Sequence, residues 1–442
     1  MLKIVHPVCC GVDVHKKFIV ATIASTNSFN VTSYLYGRFK TTNEDLEKFK
    51  VWLAANNCIE VCMESTGVYW IPVYNILESK PCVPCIVVND ATNDATNAIK
   101  ITLANPKYVK AVKGKKTDKN DSRWIADLHK HGLVPGSYIP PKEIRMLRDL
   151  CRYRTKLVGN RSSEKNRVQN ALTVSNIALP NFVSDTFGKT SQAIIEYILT
   201  CDVFDPEYCK TLIHPTIKAS PDEIIKSILG YKFSPEQATK IRVSKEHLGA
   251  IEKCLGTIDK SIDEFAKPFE SQIKILATMP GITDKSATRI ISEIGVDMSV
   301  FTSSKHLCSW AGLTPQNNES AGKKKSTKIS RAGVFLKPLL VQCANAAIKD
   351  KKNPYFANKY HSIKKRRGHK KAIIAVARMM LTCAYNMIAY GESFAPSDSI
   401  ASDIPPDILE KRNKQKIDAA IAFLNKNGIS VVDPSKPITL TA

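Results

Sequence analysis

The sequence predicts a chain of α/β plus α class: an N-terminal domain in which strands and helices alternate, followed by long helices with little strand. Two observations carry this. The first 140 residues hold short runs rich in β-branched and aromatic residues, separated by helical spacing, whereas apolar residues at three- and four-residue intervals dominate from Pro140-Pro141 onward. The 442 residues exceed one ordinary core, so two or three domains are expected.

Residues 8–14, 18–24 and 33–39 read as three successive strands. Thr42 then opens a helix with Glu44 and Asp45 in its first turn, ending at Asn56-Asn57. A buried strand at 58–63 and a helix at 68–77 follow, then strand-like runs at 85–89 and 99–104 and a helix beginning at Thr117. Three strands followed by alternating helix and strand is the order of an RNase H-like fold. Beyond it, residues 143–173 form a helix carrying Arg145, Arg148, Arg152, Arg154, Lys156, Arg161, Lys165 and Arg167, which predicts a basic face. Helices follow at 191–199, 221–229 and 235–266, the last long enough for a coiled-coil-like hairpin. A third region spans about 273–394, in which Pro280-Gly281-Ile282 has the look of a helix-hairpin-helix turn able to grip phosphate through its amides. Residues 395–406, rich in Ser, Pro and Asp, read as a linker. The expected divisions are 1–140, 141–272, 273–395 and a tail at 396–442.

Lys and Arg number 64 against 41 Asp and Glu, a formal charge of +23, so a polyanion is the expected partner, nucleic acid before a membrane surface. No apolar run reaches the length of a spanning helix, the best stretch, 372–383, being broken by Arg378, and residues 1–7 lack a signal-peptide layout. Thirteen scattered cysteines fit a reducing cytoplasm; Cys82-Val83-Pro84-Cys85 has metal-like spacing but no second pair, so its cysteines read as structural. The nine Lys and Arg of residues 351–371, with Tyr355, Phe356 and Tyr360 between them, suggest phosphate contact with some base stacking, against the alternative of a solvated face.

Four carboxylates stand out. Asp13 interrupts the apolar strand Cys9-Cys10-Gly11-Val12-Asp13-Val14-His15, and Glu64 ends the strand leading to Ser65-Thr66-Gly67. Burying either without a partner costs several kcal/mol or shifts its pKa, so a cation or a salt bridge is required. Asp118 and Asp121 lie three residues apart on the opening turn of a helix, on the face continued by Ile125 and Leu128. Thr117 can cap that helix, and the dipole alone favours acids there. Together the four oxygen donors suit Mg²⁺ or Mn²⁺. Downstream, Glu319-Ser320-Ala321-Gly322-Lys323-Lys324-Lys325 places a serine among small residues and lysines, where a hydroxyl can face a phosphate; Ser326 and Ser330 are rivals, and a polar loop is the plain alternative.

These motifs resemble the insertion-sequence recombinases that carry a RuvC-like DEDD domain and a C-terminal serine domain, a family taking in bridge-RNA-guided transposases and Piv-type invertases. The resemblance covers about 8–395 through Gly11-Val12-Asp13-Val14-His15-Lys16, Met63-Glu64-Ser65-Thr66-Gly67, Lys116-Thr117-Asp118 with Asp121, and Gly132-Leu133-Val134. It continues through Leu147-Arg148-Asp149-Leu150, Arg152-Tyr153-Arg154, Met279-Pro280-Gly281-Ile282, Gly312-Leu313-Thr314-Pro315, Ser320-Ala321-Gly322-Lys323 and Ile329-Ser330-Arg331-Ala332-Gly333. It implies that Asp13, Glu64, Asp118 and Asp121 bind the metal ions and that Ser320 is the nucleophile joined covalently to DNA. It further implies donor and target DNA as substrates, a noncoding bridge RNA as guide, a homo-oligomer (dimer or tetramer) as the working form, and a bacterial or archaeal cytoplasm with nucleoid association. Extra residues between Asn89 and Asn105, including Asp90 and Asp94, depart from the family pattern. A Piv-type invertase without guide RNA, a hydrolytic RuvC-like nuclease and an inactive nucleic-acid-binding protein are the alternatives.

Overall fold

The computed structural model describes residues 2–65, 67–79, 99–109, 117–230, 233–315, 318–320, 323–326 and 328–395, with 414, 417 and 421. The expected strand at 85–89 and the Cys82–Cys85 pair lie outside these residues. The chain forms two compact units, Met1–Pro140 and Pro141–Ala442.

The first unit is built on a five-stranded sheet. β1 (Val8–Val14), β2 (Phe18–Thr26) and β3 (Thr32–Lys40) form an antiparallel meander; β4 (Glu60–Glu64) and β5 (Lys100–Ala104) add parallel strands, giving the order β3-β2-β1-β4-β5. This is the order of an RNase H-like domain. One face is covered by α1 (Asn43–Ala55) and α2 (Trp70–Glu78), whose Leu46, Phe49, Leu53, Val73 and Leu77 pack on Val12, Ile19, Ile23, Val61 and Met63. Both faces of β1 and β4 are buried, which explains why both strands are apolar apart from Asp13 and the terminal Glu60 and Glu64.

The other face carries α3 (Pro106–Val109) and α4 (Asp118–Lys130). α4 lies directly on β1 because Gly11 has no side chain: a Cβ there would stand 2.3 Å from both the Ala126 amide nitrogen and the Ser122 carbonyl oxygen. The buried Ser122 and Thr22 hydroxyls share a hydrogen bond of 2.6 Å beside this contact.

In the second unit α5 (Lys142–Val174) packs along α9 (Pro235–Ala266). Arg154 pairs with Asp259 and Glu164 with His247, so the residue numbers fall on one helix as they rise on the other and the two run antiparallel. α6 (Lys189–Thr200), α7 (Pro206–Thr211) and α8 (Pro221–Lys226) surround the far end, where Ile194, Ile195, Ile224 and Ile241 join Val168 and Leu172 in one core. α10 (Glu270–Ala277) and α11 (Asp284–Ile294) form the helix pair around Pro280-Gly281. Its glycine, at φ +80°, sets its Cα against α13 (Leu336–Ala347): a Cβ would meet the Cys343 carbonyl oxygen at 2.4 Å. The glycine of the suspected phosphate-gripping turn therefore serves helix packing.

Part of the basic face expected on α5 is spent inside the unit. Arg148 donates to the Ser292 and Glu293 carbonyl oxygens at 2.9 and 2.7 Å, in the last turn of α11. Arg152 grips the Glu293 carboxylate with two bonds of 2.8 and 2.7 Å; Arg154 and Arg167 pair with Asp259 and Glu164. Sequence spacing shows that cations share a helix but not that acids from other helices meet them.

α12 (Ser304–Trp310), α14 (Tyr355–Arg367) and α15 (His369–Tyr390) complete the helical set. Contrary to the expectation from sequence, α15 is long and apolar enough to cross a membrane, but Ala372, Ile373, Val376, Ala377, Met380 and Leu381 are buried, and α15 packs on α10, α12, α13 and α14. Its hydropathy is that of a core helix. On α14, Phe356 and Tyr360 are buried as well, so two of the three aromatics expected to stack on bases serve the core, while Lys364, Lys365, Arg366 and Arg367 stay exposed.

Gly11→Ala should destabilise the first unit by about 1–3 kcal/mol or more, because overpacking against backbone finds no flexible neighbour to yield. Thermal melting followed by circular dichroism measures this; an unchanged midpoint contradicts the close contact. Arg152→Ala should cost about 3–5 kcal/mol, since the Glu293 carboxylate, 8% exposed, is left without its partner.

Candidate metal centre and serine hairpin

Asp13 sits near the end of β1, and Glu64 closes β4 one residue past the Val12–Met63 pair, so the sheet register itself brings the two carboxylates to the same strand ends. Open α/β sheets place their sites at these carboxyl ends. α4 supplies the other two. Thr117, extended at φ −140°, accepts a hydrogen bond from the Asn120 amide (3.2 Å), capping the helix so that its first turn presents Asp118 and Asp121. The cap and the carboxylate pair, alternatives in sequence, are both present.

Asp13 is the electrostatic centre of the group. Burial pushes its carboxyl above the ordinary 3.8; His15 draws it back, and Asp121, Asp118 and Glu64 each raise it further. Asp13 thus lies in the field of the other three sequence-identified carboxylates, its side chain 15% exposed and that of Asp118 50% exposed.

His15 belongs to the sequence motif around Asp13, and the structure gives it a place of its own. Its Nε2 stands 3.2 Å from Asp13 Oδ2 and 3.5 Å from Asp118 Oδ1, and this buried nitrogen has no partner of hydrogen-bond geometry. A positive charge or a metal ion is what that position between two carboxylates favours. The three donor atoms lie within 4.8 Å of one another. A local signal for this exists: His15 follows Asp13 by two residues, and a strand returns to the same face every second residue. Beside Asp118 an open groove of about 440 Å³ is lined by Tyr36, Arg38, Thr117 and Lys119.

Ser320 lies in the other unit. It ends β6 (Asn318–Ser320), which pairs antiparallel with β7 (Lys323–Ser326), and Lys323 is its cross-strand neighbour. The hairpin rises from a junction of two glycine motifs: Pro315 bridges Ile329, and a Cβ on Gly333 (φ +67°) would stand 2.1 Å from the Ala311 carbonyl oxygen. Gly312 (φ +69°) faces Ala332 in the same way, its Cβ position 2.6 Å from that carbonyl oxygen. Ser330 Oγ accepts from the Ala332 amide at 3.3 Å, and Ser326 Oγ from the Lys328 amide at 3.2 Å, so both rival serines take part in local turns.

A transposase model of the IS110 DEDD type matches residues 10–177, and a model described as the transposase IS116/IS110/IS902 family matches 273–361. A "Probable family 20 transposase" of Pseudomonas aeruginosa is 21% identical over 279 residues, covering 60% of this chain and 72% of that one. The "Pilin gene-inverting protein" of Moraxella bovis is 32% identical over 128 residues, 27% of this chain and 38% of the relative; that of Moraxella lacunata matches to the same extent.

At neutral pH the Asp13 charge is opposed first by burial and then by repulsion from Asp121, Asp118 and Glu64. A raised Asp13 pKa means that stability is complete below the unfolded value near 3.8 and is lost as pH rises through the higher folded value. Chelator-treated Asp13→Asn should therefore melt above wild type at pH 7, with the gap closing below pH 4. Equal melting midpoints at pH 7 would refute the repulsion.

Proposed function

Because this chain belongs to the IS116/IS110/IS902 transposase family, whose two domain models it matches in order, we propose that it cuts and rejoins DNA through Ser320. In this reading Asp13, Glu64, Asp118 and Asp121 hold the divalent metal. The observation that carries the reading is that Asp121, Asp118 and Glu64 all bear on the largely buried Asp13 carboxyl, a burden that added positive charge relieves. An all-oxygen donor set fits Mg²⁺ or Mn²⁺. When bound, such ions neutralise charge on phosphoryl oxygens and lower the pKa of a coordinated hydroxyl.

The chain's own residues supply the rest. Asp13 and Glu64 hold fixed places because they are anchored on paired strands, and Asp118 and Asp121 because Thr117 fixes their turn. Arg38 and Lys119, in the groove beside Asp118, are placed to receive backbone phosphates of the DNA strand. In this reading the Ser320 hydroxyl attacks phosphorus, its proton passing to a general base and the departing strand oxygen taking one up as its P–O bond breaks; a divalent ion held by the four carboxylates would ease loss of the serine proton. The phosphoserine ester conserves the bond energy, so a free strand end reverses the step without ATP. The working form in this reading is an oligomer, a dimer or tetramer. The exposed Lys364–Arg367 run is the surface we assign to nucleic acid, DNA or a bridge RNA that guides donor and target choice. The pilin-inverting relatives favour one second reading, DNA inversion without a guide.

Asp13→Asn, Glu64→Gln, Asp118→Asn and Asp121→Asn, and EDTA on the wild type, should each reduce strand cleavage to background with the fold intact; wild-type rates in any variant remove that residue from the site. Denaturing gels should trap DNA covalently on wild type and not on Ser320→Ala. Cleavage by Ser320→Ala without an adduct would make the protein a hydrolytic nuclease.

Replacing Lys364, Lys365, Arg366 and Arg367 by Gln should flatten the log affinity against log salt plot by roughly 0.7–0.9 for each phosphate no longer neutralised. An unchanged slope would place the nucleic acid elsewhere.

A further inference from the structure

The amino-terminal end of β4 and the last turn of α4 hold a second group of donors that the proposed DNA chemistry leaves unused. His6 precedes β1, Glu60 opens β4 beside Cys9, and His129 is the penultimate residue of α4. His6 Nδ1 is 3.7 Å from Glu60 Oε2, and His129 Nε2 is 4.0 Å from the same oxygen. All three donor atoms fall within 4.8 Å of one another. The two imidazoles stack at 4.5 Å, and Glu60 Oε1 is turned aside to Lys100 Nζ at 3.3 Å, leaving Oε2 facing both rings.

The independent sign of a missing ligand is His129. Its side chain is 4% exposed, yet Nε2, aimed at Glu60, has no hydrogen-bond partner. Buried polar atoms are nearly always satisfied, so each exception requires an explanation such as an ion. Burial also pushes His129 down to about 4, which keeps the imidazole neutral, the form that ligates metal.

We propose that His6 Nδ1, Glu60 Oε2 and His129 Nε2 bind a divalent transition metal, Zn²⁺ by their chemistry, at a structural site separate from the four carboxylates. Two imidazole nitrogens and one carboxylate oxygen suit zinc and disfavour magnesium, whose sites are built from oxygen. Zinc distances near 2.1 Å imply donor separations of about 3.4 Å in a tetrahedron, so the two imidazole–carboxylate gaps of 3.7 and 4.0 Å close by about 0.3 and 0.6 Å. The ion joins three pieces of chain: the segment before β1, which otherwise meets this end of α4 through the Val5 and His6 amides on the Lys130 carbonyl (2.8 and 3.1 Å), the start of β4, and α4. His129 is 11 residues from Asp118, about 16 Å along the helix. The clip thus anchors one end of the helix that presents two carboxylates at the other.

The test uses the full-length protein, stripped by chelator, titrated with Zn²⁺ alone and dialysed; bound zinc is then counted by mass spectrometry, and Co²⁺ serves as the spectroscopic probe of a tetrahedral site. Wild type should retain a zinc ion that the Asp13→Asn, Asp118→Asn double variant keeps. His6→Gln and His129→Gln should each weaken it by roughly 10–100-fold or more and abolish the cobalt band. Because His6 is partly exposed, His6→Gln is expected to fold, and zinc should raise the melting midpoint of wild type but not of this variant. Three results overturn the proposal: no zinc on wild type, equal zinc on His6→Gln, or zinc lost only with the carboxylate variant.

Discussion

The contact between Gly11 and the backbone of α4 governs the geometry of the first unit. A helix ordinarily rides above a sheet on a layer of side chains. Here the missing side chain at Gly11 lets Ser122 and Ala126 settle on β1, with the Ser122–Thr22 hydrogen bond and the Cys9 thiol to the Ala126 carbonyl beside them. Once α4 is held at its middle, both its ends are fixed relative to the strands. One end brings Asp118 and Asp121 to the strand ends that carry Asp13 and Glu64, and the other brings His129 to Glu60.

That placement costs electrostatic free energy. The Asp13 carboxylate is buried and lies in the field of Asp121, Asp118 and Glu64, which together hold its pKa above the ordinary value. His15, between Asp13 and Asp118, is the protein's own partial compensation. The sheet that bears this cost has a core on both faces.

The second unit divides its many cations between two uses. Arg148, Arg152 and Arg154 hold helices together, with the Glu293 carboxylate buried under Arg152. Lys364 through Arg367, in the last turn of α14, face solvent, where they also favour the helix dipole. Net charge therefore overstates the surface available to nucleic acid, since part of it is neutralised internally.

The strands of the first unit are legible in the sequence, because runs of β-branched and aromatic residues, caps such as Thr42 and Thr117, and the switch to helical spacing at Pro141 are local signals. Asp13, Glu64, Asp118 and Asp121 are legible too, since a carboxylate in an apolar strand or a paired helix turn is visible one segment at a time. Which charges meet is settled by tertiary packing alone: His15 stands between Asp13 and Asp118, Arg152 belongs to Glu293, Phe356 and Tyr360 are core residues, and His6, Glu60 and His129 converge. Those pairings join residues up to 141 positions apart. They arise from the packing of helices and strands on one another, which local periodicity does not encode.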